Sequence, residues 1–190
     1  FDKTSSTGEE TANHLILLAR DEAGYKNLMK LVSIGYLEGF YYKPRIDKKV
    51  LAEYSEGLIG LSSCLKGEIP KSITNNNMGK TSELAAEYRE IFGKENFYFE
   101  LQDNSIPEQR EVNKELIRLA KELAIGLVAT NDVHYLTRDS AKAHEALLCI
   151  QTQTTLDDPN RMKLQTDQFY FKSSDEMKAL FKDAPEAISN

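Results

Sequence analysis

The sequence predicts an α/β protein with a mostly parallel sheet, or a barrel, and helices on the outside. Strand-like and helix-like segments alternate along the chain, and HLILLA (14–19) and GLIGLSSC (57–64) are nearly continuous apolar runs. Parallel strands buried on both faces show such runs because helices cover both sides of the sheet. In these folds, chemistry collects in the loops beyond the C-terminal ends of the strands.

The first half of the chain is predicted to contain two strands and three helices. Helical spacing over DEAGYKNLMKLVSIGYL predicts a helix, and its apolar stripe consists of Tyr25, Leu28, Met29, Val32 and Tyr36. The aromatic and basic segment around Pro44 predicts a loop, and a short helix is expected from Asp47 to Gly57. The Asn-rich segment 71–80 predicts a loop, and the next helix is expected over 81–93.

The second half continues the alternation with strands expected at 97–102 and 127–130. The helix between these strands is predicted to begin with a capping box of Ser105 and Glu108, to carry Pro107 in its first turn, and to end at Gly126. Its predicted apolar stripe consists of Val112, Leu116, Leu119 and Leu123. A further helix is expected over 141–152. In the tail, Ser173 and Glu176 form a second capping box that predicts a last helix.

Composition excludes several classes of protein. The chain is 41% hydrophobic and 28% charged, as expected for a globular protein of 190 residues with one sizeable core. The net charge of −6 argues against a surface built mainly to hold phosphates. Two cysteines make no disulfide framework and favour a reduced, cytoplasmic protein. No apolar run is long enough for a membrane span, and no Walker loop, GxGxxG or GxSxG motif is present.

The segment NDVH contains an acid and an imidazole directly after a predicted strand. In an extended segment, Asp132 and His134 would point to the same side, where their oxygen and nitrogen atoms suit zinc or a similar divalent ion. Cys64 could add a thiolate and His14 a second imidazole, since both lie beside predicted strands. The competing interpretation makes Asp132 a turn residue and Cys64 a small buried apolar side chain.

Three other residues have a less specific interpretation. Glu100 is as consistent with an outward strand position as with a cleft. His144 is interpreted as a partly exposed helix residue rather than a ligand, and Cys149 as part of the core.

Several long blocks in order resemble the N-terminal PHP (polymerase and histidinol phosphatase) domain of bacterial DNA polymerase III alpha subunits. They are the segment from HLILLA to KPRID, then GLIGLSSCLKGEIP, FYFELQDN and the segment from ATNDVHYL to DDPNRMKL. The resemblance implies a partial, distorted (β/α)7 barrel of the PHP type. It also implies that 1–190 is one truncated PHP domain, with a polar lead at 1–13 and an exit segment at 160–190 towards the polymerase palm.

The resemblance further implies a cluster of up to three divalent ions, zinc or manganese, held by nine residues in intact members. Four of these match His14, Cys64, Asp132 and His134, and the other five would lie before Phe1. We therefore expect this chain alone to bind metal weakly or not at all, and to dimerise or rearrange around the missing strands.

The resemblance implies that the whole protein is a replicative DNA polymerase, acting on primer-template DNA with a proofreading exonuclease and a sliding clamp as partners. Within it, the PHP module is expected to be a metal-dependent 3′–5′ exonuclease, a structural brace, or both. The alternatives are a free-standing PHP phosphoesterase and a non-catalytic scaffold that docks the proofreading exonuclease.

Overall fold

The computed structural model describes residues 12–190, and its sheet in that range has four strands in the spatial order β1-β2-β3-β4. The strands are β1 (Ile16–Ala19), β2 (Leu58–Leu61), β3 (Phe97–Gln102) and β4 (Gly126–Thr130). The helices are α1 (Glu22–Leu37), α2 (Lys48–Glu53), α3 (Glu68–Thr74), α4 (Met78–Phe92), α5 (Pro107–Leu123), α6 (Ala141–Thr152), α7 (Ser174–Leu180) and α8 (Glu186–Ser189). The α/β class and the mostly parallel sheet are confirmed.

The strands β2, β3 and β4 are parallel, whereas β1 runs antiparallel to β2. The prediction that HLILLA is a parallel strand buried on both faces is therefore wrong. Leu18 in this strand is 49% exposed, because β1 pairs with β2 on one side only within the described part of the chain. Its apolar run arises from packing of Leu15 and Leu17 against the core.

The strand β3 is central and is buried on both faces. Phe97, Phe99 and Leu101 are at most 1% exposed, and the ring of Phe97 stacks on that of Tyr88 at 5.3 Å between centroids. The predicted apolar stripe of α5 is confirmed, since Val112, Leu116 and Leu119 are buried in the same core. Cys149 is also buried, as expected.

The predicted apolar stripe of α1 is wrong for four of its five residues. Tyr25, Met29, Val32 and Tyr36 are 57%, 47%, 52% and 59% exposed, and only Leu28 packs against the core. The helix instead buries the face with Gly24, Leu31, Ile34 and Gly35. Small residues let the helix approach closely: a Cβ built on Gly24 would lie 1.8 Å from the Gly57 carbonyl oxygen. Periodicity showed an apolar stripe but not which stripe faces the sheet.

Several predicted helix ends also differ from the structure. The helix predicted from Asp47 to Gly57 spans only α2, and α3 replaces the first part of the loop predicted at 71–80. The N-cap of α5 is Ile106, without a side-chain cap, so the Ser105–Glu108 capping box is wrong, while Pro107 lies in the first turn as predicted.

Helix α5 ends at Leu123, and the following C-cap residue Ala124 has a left-handed conformation (φ 51°). Gly126 begins β4 instead of ending the helix. The capping box of Ser173 and Glu176 is confirmed. Within residues 12–190, none of the helices combines the length and apolar character needed to cross a membrane.

Candidate metal site at one edge of the sheet

All four predicted ligands lie at the same edge of the sheet, which we call the C-terminal edge because β2, β3 and β4 end there. Cys64 follows β2, and Asp132 and His134 follow β4. His14 precedes β1, and since β1 is antiparallel, its beginning lies at the same edge. Three segments that are far apart in the sequence are thus brought to one side of the molecule.

Cys64 and His14 form the first pair of donors, with the Cys64 Sγ atom 3.7 Å from Nδ1 of His14. The backbone N–H of His14 donates to the carbonyl of Lys66 at 3.0 Å, and His14 forms an isolated bridge with Gly67. The loop after Cys64 therefore holds the strand that carries His14, and one short segment positions both donors.

Asp132 and His134 form the second pair, with Oδ1 of Asp132 3.4 Å from Nε2 of His134. The prediction that they converge is confirmed, but the extended backbone assumed for it is wrong. Asp132 has a φ of 45°, in the left-handed region that short polar residues such as Asp tolerate. A tight turn, rather than the pleat of a strand, brings the two side chains together.

The two pairs are separate positions rather than one cluster. Among residues 12–190, no three His, Cys, Asp or Glu side chains are grouped to hold a metal ion. Donors about 2.0–2.3 Å from a tetrahedral centre lie about 3.4–3.6 Å apart, so the spacing within each pair suits a divalent ion. Their assignment as ligands stays a prediction.

The segment 166–172 holds the turn that carries Asp132 and His134. The backbone N–H of His134 donates to the Phe169 carbonyl at 2.8 Å. The Asn131 amide donates to the Tyr170 carbonyl at 3.1 Å, and Asn131 Oδ1 accepts from the buried Lys172 ammonium at 3.1 Å. Lys172 also donates to the Gln168 carbonyl. The sequence pattern did not indicate this role, since these residues are about 40 positions from the turn.

Glu100 lies on β3 between the two pairs and is only 2% exposed. Its Oε1 atom accepts from Thr130 at 2.5 Å and from Gln102 at 2.9 Å, whereas its Oε2 atom has no hydrogen-bond partner among residues 12–190. Burial raises the pKa of Glu100, and the hydrogen bonds from Thr130 and Gln102 oppose this shift. Of the two interpretations left open, the cleft is correct: Glu100 and Cys64 line the same small cavity.

The wild type is expected to lose stability as the pH rises above the ordinary carboxyl range, and the Glu100→Gln variant is expected not to show this loss. With its pKa raised in the folded state, Glu100 binds its proton more tightly folded than unfolded. Stability is therefore highest below the unfolded pKa and decreases as pH rises through the folded pKa. Melting temperatures from pH 4 to 8 test this, with Glu108→Gln on the exposed start of α5 as control. Parallel pH profiles of wild type and Glu100→Gln would contradict the prediction.

His144 belongs to the same region, although its position within a predicted helix indicated no part in the site. Its ring is 5.6 Å from the His134 ring, edge to face, and the Phe169 ring packs on His134 at 5.2 Å. Burial lowers the pKa of His144, and the neighbouring His134 acts in the same direction. No short spacing in the sequence links a residue on α6 to the turn before it, so only the tertiary structure reveals the contact.

Comparison with known proteins agrees with this architecture. The sequence pattern of the PHP domain family matches residues 3–104, more than half of the chain. The chain therefore belongs to the PHP domain family.

The full length of the chain is 46% identical to part of the DNA polymerase III subunit alpha of Treponema pallidum, of which it covers 16%. It is also 49% identical over 177 residues to that of Borreliella burgdorferi and 47% identical over 185 residues to that of Thermus aquaticus, covering 15% of each. The chain thus spans about one sixth of the relatives that it matches.

Proposed function

We propose that this chain is the PHP module of a DNA polymerase III alpha subunit, and that its C-terminal edge serves metal-dependent 3′–5′ hydrolysis of DNA phosphodiesters. The observation that carries the proposal is the position of two donor pairs, Cys64–His14 and Asp132–His134, at the C-terminal edge of the sheet. Within each pair, the distance between the two donor atoms suits a divalent ion. Relatives named as this polymerase subunit supply the replicative context. The whole protein would act in the cytoplasm on primer-template DNA, beside a proofreading exonuclease and a sliding clamp.

The residues of the chain would act by holding and orienting. Cys64 and His14 would bind one ion, and their sulfur and nitrogen donors suit zinc. Asp132 and His134 would bind another, and their oxygen and nitrogen donors suit zinc or manganese. A bound divalent ion would supply Lewis-acid chemistry and an activated water. Segment 166–172 would keep the imidazole of His134 in position, and no separate protein nucleophile is required.

A structural role is the second candidate, and the exposed stripe of α1 favours it. Tyr25, Met29, Val32 and Tyr36 share one helix face and are all about half exposed. Aromatic residues and methionine are enriched in protein interfaces. This face would pack against another part of the polymerase, against a proofreading exonuclease, or against a second copy of the isolated chain.

Hydrolysis by the full-length protein separates the two candidates. We expect Asp132→Asn and His134→Ala to abolish metal-dependent release of nucleotides from a 3′-labelled single strand, whereas polymerisation continues. Asp175→Asn serves as the control, because the Asp175 side chain is 96% exposed on α7. Hydrolysis that is inhibited by EDTA in the wild type and persists unchanged in both variants would eliminate the enzymatic proposal and favour the scaffold.

A further inference from the structure

A cavity of about 240 Å³ lies beside the Asp132–His134 turn, between the start of α6 and the segment 163–167. His144 lines it, and the His144 ring contacts the His134 ring. The volume is slightly below the roughly 300–1,000 Å³ of typical small-molecule sites. The cavity therefore has room for one small group next to the candidate site.

Cationic side chains dominate the charge of this cavity. Lys142 and Lys163 line it, and neither makes an ion pair with any residue in the described range 12–190. Its two acidic lining residues are already neutralised. Glu145 pairs with Arg161 at 2.5 Å, and Asp167 accepts from Arg138 at 2.7 and 3.1 Å. The cavity is thus locally positive although the chain as a whole is acidic.

The donor groups that a ligand in this cavity can reach are the two ammonium groups. Lys142 and Lys163 are both exposed, and each carries several N–H donors. Tyr135 also lines the cavity, but its hydroxyl is shielded from solvent and has no partner among residues 12–190, so a ligand in the cavity does not reach it. Two ammonium groups suit an anion with several acceptor oxygens.

We propose that this cavity binds the phosphate group of a nucleotide next to the metal positions. A phosphate offers acceptor oxygens and a charge that Lys142 and Lys163 neutralise, and charge-assisted hydrogen bonds are the stronger kind. The cavity would hold the phosphate of the terminal nucleotide during hydrolysis, or of the released monophosphate afterwards. This role in hydrolysis rests on the proposed function, whereas phosphate binding itself can be measured without hydrolysis.

Binding of dTMP to the full-length protein, measured by isothermal titration calorimetry in EDTA, tests the proposal. We expect Lys142→Ala and Lys163→Ala each to weaken dTMP binding about tenfold, the value of one charge-assisted contact. Tyr135→Phe should leave dTMP binding unchanged, because the Tyr135 hydroxyl is shielded from the solvent that fills the cavity. Lys94→Ala, an exposed lysine before β3 at the opposite edge of the sheet, is the matched control.

Parallel titrations with inorganic phosphate and thymidine identify what is recognised. Equal affinity for inorganic phosphate and dTMP supports a site for phosphate alone, and tighter dTMP binding supports a site that also holds the sugar. Thymidine that binds as tightly as dTMP, or an equal loss in Lys94→Ala, would overturn the proposal. Unchanged dTMP binding in both lysine variants alongside normal hydrolysis would reject this site alone. Lysine-dependent binding without any hydrolysis would reject only the enzymatic function.

Discussion

Replacing Asn131 by alanine is expected to weaken divalent metal binding at the Asp132–His134 pair by about 10- to 100-fold. Residues that orient metal ligands usually have effects of this size. The Asn131 amide bonds Tyr170 and Lys172 and so fixes the turn in which Asp132 adopts a left-handed backbone. Without the Asn131 side chain, Asp132 and His134 would have to be brought together when the metal ion binds.

Lys172→Met tests the same connection from the other side. Burial lowers the pKa of Lys172, whereas Glu176, Asp103 and Asp132 oppose this shift. Its ammonium contacts Asn131 and the Gln168 carbonyl. We expect a comparable loss of metal affinity, because both acceptors lose their donor.

The measurement is Mn²⁺ titration of the full-length protein followed by electron paramagnetic resonance. The Mn²⁺ binding that persists in the Asp132→Ala/His134→Ala double variant is subtracted, because it belongs to other sites of the protein. Asn27→Ala is the control, since Asn27 also bonds a backbone carbonyl, that of Glu56, at 2.9 Å but is not part of the candidate site. Wild-type affinity in both Asn131→Ala and Lys172→Met would show that segment 166–172 does not orient the ligands.

Gly67→Ala is expected to lower the free energy of unfolding by about 3 kcal/mol and to separate Cys64 from His14. Overpacking in tight sites costs typically 1–3 kcal/mol, and this site is at the upper end because the obstacle is backbone. A Cβ on Gly67 would lie 2.1 Å from the Ser62 carbonyl oxygen and 3.1 Å from that of Cys64. Gly67 also bridges to His14, so its displacement moves both members of the first donor pair.

Gly79→Ala provides the matched control, because a Cβ on Gly79 would meet no atom of residues 12–190 within 4 Å. Gly79 lies in the first turn of α4, where alanine is expected to leave stability unchanged or raise it by up to about 1 kcal/mol. Urea unfolding of both variants, and the rate of Cys64 alkylation in the native state, measure the two effects. Equal stabilities for the two variants would show that the loop after Cys64 adapts without cost.

Local features of the sequence determined the elements and part of the core. Apolar runs located the strands, the stripe of Val112, Leu116 and Leu119 correctly identified the buried face of α5, and the Ser173–Glu176 capping box marked the start of α7. Asp132 and His134 were recognised as a converging pair. Each of these depends on residues a few positions apart, so the information lies within one segment.

Only the tertiary structure decided the direction of β1, the buried face of α1 and which distant side chains lie together. The antiparallel direction of β1 and the burial of the Gly24 face of α1 depend on which distant segments pack together. The same holds for the burial of Glu100 and the contact of His144 with His134. Long-range packing sets these features because the energies of strand pairing and of close helix approach depend on two segments together. The sequence of either segment alone therefore shows no periodic pattern that would predict them.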